Sequence, residues 1–127
     1  SLAEIQRVGG RRVAAAMASG IESDRLVLDP GFGFGKTLGH NLTLLAQLEN
    51  TALDGLPILA GMSRKSMLGA ITGRPVGERL AASISAALIA AQHGARILRV
   101  HDVAETRDAL SVWQAVQTEK DAFAQRP

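Results

Sequence analysis

The chain has 127 residues, 46% of them apolar and only 3% aromatic, with a formal charge of +2; this suits one globular domain whose core is built from Ala, Leu, Ile and Val. No basic block or aromatic-interleaved patch points to nucleic acid, and the lack of cysteine excludes disulfides and thiolate metal sites and fits a reducing compartment. Apolar runs such as Ala86 to Ala91 fall far short of the roughly 20 residues of a membrane span. Ser1 to Arg7 carries Glu4 and no apolar signal core, so a cytoplasmic protein with no membrane partner is expected.

In chain order, Leu2, Ile5, Val13, Ala16 and Met17 predict a helix over Ser1 to Ser19, ended by Gly20. Arg25 to Leu28 reads as a short strand stopped at Asp29-Pro30. Glycines follow at 31, 33 and 35. Asn41 is the expected cap of a helix running to about Thr51, with Leu42, Leu45 and Leu48 on its buried side. Pro57 to Ala60 predicts a second buried strand, and Ser66 the cap of a short helix to Ile71. After the break at Thr72-Gly73-Arg74-Pro75, an Ala-rich helix is expected over Val76 to Gln92. Ala95 to Val100 reads as a third strand. Asp102-Val103-Ala104-Glu105 has capping-box spacing for a helix to about Val116, with Trp113 on its apolar stripe and a loose tail from Asp121 to Pro127. Apolar strands alternating with helices predict a parallel α/β sheet covered by helices.

Each strand delivers a polar cluster at its carboxyl end, where ligands bind in parallel α/β folds. The clusters are Asp29 with Lys36, then Ser63-Arg64-Lys65-Ser66, then Arg99, His101 and Asp102. Three such ends in succession suggest one site. A phosphate-binding loop is a poor reading of the glycines. Pro30 stands where a Walker A loop before Gly35-Lys36-Thr37 needs Gly, and Leu38 where a dinucleotide fingerprint needs its third. Positive backbone angles in a tight turn explain the glycines instead, with Phe32 or Phe34 lining a pocket for a flat ligand.

Asp29 suits a guanidine-like N–C–N edge, or else caps the turn that follows it. Lys65 can donate to a ring carbonyl. Arg64 either takes part or is a solvated side chain turned away from Lys65. Ser66 offers a hydroxyl at a helix start, as a carboxylate contact or an ordinary cap. Arg99 and His101, two apart on a strand, face one side and can clamp a phosphate or pyrophosphate, or form a plain surface pair. His40 and His93 are weak candidates, and no spacing resembles a zinc site.

Three segments carry a resemblance: Asp29-Pro30-Gly31-Phe32-Gly33-Phe34-Gly35-Lys36, Gly61-Met62-Ser63-Arg64-Lys65-Ser66 and Arg99-Val100-His101-Asp102-Val103. In that order and at similar spacing they resemble the signatures of the dihydropteroate synthase family, over about Glu4 to Val116. The resemblance implies a (β/α)₈ TIM barrel, of which residues 1–127 would form a C-terminal portion carrying strands six to eight. It implies that Asp29 and Lys65 hold a pterin ring, that Arg99 and His101 take the pyrophosphate leaving group, and that Phe34 and Ser66 seat p-aminobenzoate. Lys65, Arg99 and His101 would be the catalytic set, with Gly33, Lys36, Ser63 and Arg64 as lesser contributors. The family's reaction joins 6-hydroxymethyl-7,8-dihydropterin pyrophosphate to p-aminobenzoate and is blocked by sulfonamides. Mg²⁺ is the implied cofactor, its ligands mainly outside this stretch, and a homodimer the implied assembly. The N-terminal half of such a barrel is absent from these residues, so alone they are expected to be inactive. The alternatives are a truncated, non-catalytic pterin-binding or dimerisation module, and the methyl-transferring barrel of a methionine synthase, which shares the Asp-Pro-Gly strand end.

Overall fold

The apolar runs ending near Leu28, Ala60 and Leu98 lie side by side and point the same way. Strand β1 (Ile58–Ala60) pairs in parallel with β2 (Ala95–Leu98), matching Ile58 with Ala95, Leu59 with Ile97 and Ala60 with Leu98. Leu28 makes a parallel bridge to Ile58. Its N–H donates to the Pro57 carbonyl at 2.9 Å, and its carbonyl accepts from the Leu59 N–H at 2.7 Å. The structure is a computed structural model that describes residues 2–20, 27–33, 36–53 and 55–127. Of the expected strand Arg25 to Leu28, only the bridge at Leu28 is seen, and Arg25 and Leu26 lie outside the described residues.

The helices are α1 (Leu2–Ala18), α2 (Leu38–Ala46), α3 (Ser66–Thr72), α4 (Leu80–Gln92) and α5 (Val103–Ala124). The resulting order, with parallel strands joined through helices, is the α/β arrangement that the alternating apolar runs predict. The core gathers Phe32, Leu44, Leu45 and Leu48 with Ile58, Ala60, Met62, Met67 and Leu68. Ala86 and Ala90 of α4 complete it. Their small side chains bring α4 close to the sheet, and Leu48 and Ala90 are fully buried. Full burial of a leucine stabilises by about 1.5–3 kcal/mol, so this apolar set holds the strand ends in place.

Several expected boundaries move, each for a local reason. Helix α2 starts at Leu38, because the Thr37 side chain accepts the His40 N–H. Asn41 is not its cap but a buried residue within it, and a 3₁₀ turn over Leu48–Thr51 replaces the helix end. Ser66 is the first residue of α3, with Lys65 at the cap position. Val76–Glu78 is a 3₁₀ turn and α4 begins only at Leu80. Strand β2 ends at Leu98, although the Arg99 N–H still donates to the Ala60 carbonyl at 3.0 Å. Asp102 caps α5 without a side-chain bond, so the capping box does not form. The expected tail from Asp121 is helical as far as Ala124. Trp113 is half-buried rather than core.

Candidate functional site

Parallel strands place their carboxyl ends together, and that is where the polar clusters meet. Asp29 begins the site. Its Oδ1 accepts the Gly31 N–H at 2.9 Å, an Asx turn, while Oδ2 faces Arg99 Nη1 at 3.5 Å. The turn-capping reading of this carboxylate is thus seen on Oδ1, while Oδ2 faces the guanidinium. Gly31 and Gly33 have φ of 74° and 87°, which explains two of the glycines; Gly35 and Phe34 lie outside the described residues. The turn is pinned from three sides. Lys36 Nζ donates to the Gly31 carbonyl at 2.8 Å, Asn41 Oδ1 accepts the Gly33 N–H at 3.0 Å, and Lys65 Nζ donates to the Phe32 carbonyl at 2.7 Å.

Lys65 follows the turn after β1 and enters the same space. Burial is the main force lowering its pKa; the Arg99 and Lys36 charges push the same way, and Asp29 opposes them. Two cations and this lysine around one carboxylate make a site with surplus positive charge, poised for an anion.

Arg99 leaves β2 and lays its guanidinium on Gly61, whose missing side chain makes the room. His101 is held by Ser63: its N–H donates to Ser63 Oγ at 3.3 Å, and its Nδ1 stands 2.9 Å from the same oxygen. Gly61, Ser63, Lys65, Arg99, Val100 and His101 together line a small cavity of about 140 Å³. On the other side of Asp29 runs a larger groove of about 690 Å³, with apolar walls that include Val13, Val27 and Leu28. Asp29 and Lys36 line this groove, so the Asp29–Arg99 contact joins the two spaces.

Not every expected residue converges. Arg64 turns to Asp102, Nη2 to Oδ1 at 3.0 Å, and lines neither cavity. Its φ is 59°, and of its two readings the side chain shows the one directed away from the pocket, toward the α5 start. Ser66 is exposed and lines neither cavity. His93 pairs with Glu49 at 3.1 Å, just before β2 and so at the opposite end of the strands. His40 contributes its backbone N–H to the start of α2. Gly61 and Asn41 shape the site but were not among the expected contacts. A glycine directly after a strand was the available signal for the first; nothing local marked the second. Among the described residues no three His, Cys, Asp or Glu side chains gather into a metal-binding group.

A carboxylate, two lysines, an arginine and an imidazole line or border two adjoining spaces at the carboxyl ends of parallel strands, where α/β proteins commonly hold their ligands. Residues 1–101 match the family model described as pterin binding enzyme, and the chain belongs to that family. Within it, the chain is similar to proteins named dihydropteroate synthase. It is 51% identical over 105 residues to that of Haemophilus influenzae, covering 83% of this chain and 38% of the relative. The Xanthomonas albilineans dihydropteroate synthase solved with 7,8-dihydropteroate superposes with a TM-score of 0.89 at 53% identity, covering 91% of this chain and 45% of that one. A structure of the same organism's enzyme with 4-aminobenzoic acid also gives 0.89, at 52% identity, covering 91% and 44%. The chain thus spans less than half the length of these relatives.

Proposed function

We propose that a full-length protein containing this chain is a dihydropteroate synthase. Its described strand ends are read as the sixth, seventh and eighth of a (β/α)₈ barrel. The observation that carries the reading is the convergence of Asp29, Lys65 and Arg99, with His101 held by Ser63, at adjacent carboxyl ends.

In this reading Asp29 accepts N–H groups from the pterin's N–C–N edge, displacing Arg99 from its oxygen, and Lys65 donates to the ring carbonyl. Arg99 and His101 take the pyrophosphate. The amine nitrogen of p-aminobenzoate forms a bond to the pterin methylene carbon as the carbon–oxygen bond breaks, and its electron pair leaves on the pyrophosphate. The amine proton passes to solvent. An aniline is neutral at working pH, so no general base is required. Arg99 and His101 stabilise the departing charge where it develops, the usual source of rate in such sites. Phe34 and Ser66 are proposed to seat p-aminobenzoate, with Gly33, Lys36 and Ser63 in support. Sulfonamides would compete at the same place. Mg²⁺ would be held mainly by residues of the full-length protein outside this chain and would supply further positive charge to the leaving pyrophosphate. A cytoplasmic homodimer is the proposed setting.

The test is product formation: purified full-length protein, pterin pyrophosphate, p-aminobenzoate and Mg²⁺, followed by mass spectrometry. Dihydropteroate and pyrophosphate in equal amounts support the reading. No product with all components present would end it.

A further inference from the structure

One cation near the site has no part in the chemistry just proposed. Arg79 stands at the start of α4, the helix end where the backbone dipole disfavours positive charge. Its side chain folds back over α3. There Nη1 donates to the Arg64 carbonyl at 2.9 Å and Nε to the Arg74 carbonyl at 3.0 Å. The guanidinium rests on Gly69, where any added Cβ would collide with it. One helical turn further on, Ser83 Oγ accepts the Arg64 N–H at 2.9 Å. Helix α4 therefore grips Arg64 by both its N–H and its carbonyl.

Arg64 needs that grip. It is the one non-glycine residue with positive φ among those described, and its 59° conformation is unfavourable for a residue with a Cβ. This strained residue sets the direction in which the chain passes from Ser63 to Ser66. Lys65 and Ser63 have further tethers in the Phe32 carbonyl and His101. Ser66 follows two residues after the gripped carbonyl, exposed at the start of α3, so its position follows the path of the turn.

We infer that Arg79 is a positioning residue that clamps the Ser63–Ser66 turn and so fixes the p-aminobenzoate end of the site, an inference that rests on the reading under Proposed function. A guanidinium suits the task because its planar donors reach two carbonyls at once, which an ammonium cannot do in the same geometry.

The experiment uses the full-length protein. Arg79→Ala is expected to raise KM for p-aminobenzoate by roughly tenfold or more, with KM for the pterin pyrophosphate moved by less than about threefold. Amide hydrogen exchange should quicken at residues 62–66 and stay unchanged in α5. Added guanidinium ion should restore both readouts, and Arg79→Lys should restore them in part. Arg74→Ala is the control, since that side chain makes only an exposed pair with Glu78 at 3.5 Å. If Arg79→Ala does not fold, Gly69→Ala displaces the guanidinium while keeping the arginine and should give the same split. Unchanged KM and exchange would overturn the clamp. So would an equal rise in KM for both substrates, which reports a general loosening of the site rather than of its p-aminobenzoate end. A wild type that makes no dihydropteroate would instead sink the functional reading, and exchange at residues 62–66 would then decide the clamp by itself.

Discussion

The guanidinium of Arg99 lies against the bare Cα of Gly61. A Cβ built there would stand 2.6 Å from Nη2 and 2.9 Å from Cζ, closer than real contacts allow. Arg99 is a flexible side chain, so Gly61→Ala should move the guanidinium rather than break the fold. The expected result is a loss of pterin-pyrophosphate affinity of roughly tenfold, about 1.4 kcal/mol, at nearly unchanged thermal stability. Calorimetry beside a melting curve checks it; a stability loss with affinity intact would contradict the assignment.

Arg99 itself should discriminate between the two parts of the ligand. A hydrogen bond from a charged group is worth about 1.5–3 kcal/mol. Arg99→Ala should therefore weaken the pterin pyrophosphate roughly 10- to 100-fold, and the pterin alcohol lacking pyrophosphate far less. Equal losses for both ligands would remove the pyrophosphate role.

Lys65 gives the site a dependence on pH. Burial, with the Arg99 and Lys36 charges, lowers its pKa against the pull of Asp29. The folded protein thus releases this proton at lower pH than the unfolded chain. Between the lowered and the ordinary lysine value the unfolded state binds more protons, so through this group folding stability rises with pH. Ligand binding should move the other way, because the ammonium donor is lost in that same window. Pterin-pyrophosphate affinity is expected to fall as pH rises into the alkaline range, and Lys65→Arg should shift that fall upward. Identical pH profiles for the two proteins would exclude the role.

Phe32 couples the core to the site. It is almost fully buried, and its carbonyl accepts the Lys65 ammonium at 2.7 Å. Phe32→Ala should cost about 3–5 kcal/mol through the cavity it leaves. The milder Phe32→Leu should fold and still lower pterin affinity, by loosening the acceptor that aims Lys65. Denaturant unfolding and calorimetry on the pair test this, and unchanged affinity in the folded Phe32→Leu protein would contradict it.

The sequence made the strand ends legible because each apolar run stops at a polar cluster, and parallel strands bring such ends together. Asp29, Lys65, Arg99 and His101 followed from that. Caps were read less well. Asn41 and Ser66 look like caps locally but do not hold the cap positions, and Asp102 holds its position without a side-chain capping bond. Asn41 is taken by the Gly33 N–H and Asp102 by Arg64, while Thr37 and Lys65 occupy the cap positions of α2 and α3. The length of α5 was readable and missed: no Gly or Pro interrupts Val103 to Arg126. Arg64 and Arg79 were not readable, since their partners lie 38 and 15 residues away in sequence. No local pattern encodes a positive φ held from another helix.

The most direct measurement is a crystal structure of the full-length protein with the pterin pyrophosphate bound. The ring should lie within hydrogen-bond reach of the Asp29 carboxylate and the Lys65 ammonium, with the pyrophosphate on Arg99 and His101. A ligand seated instead along α1, against Val8 and Val13 and away from Lys65 and Arg99, would contradict the account at its centre.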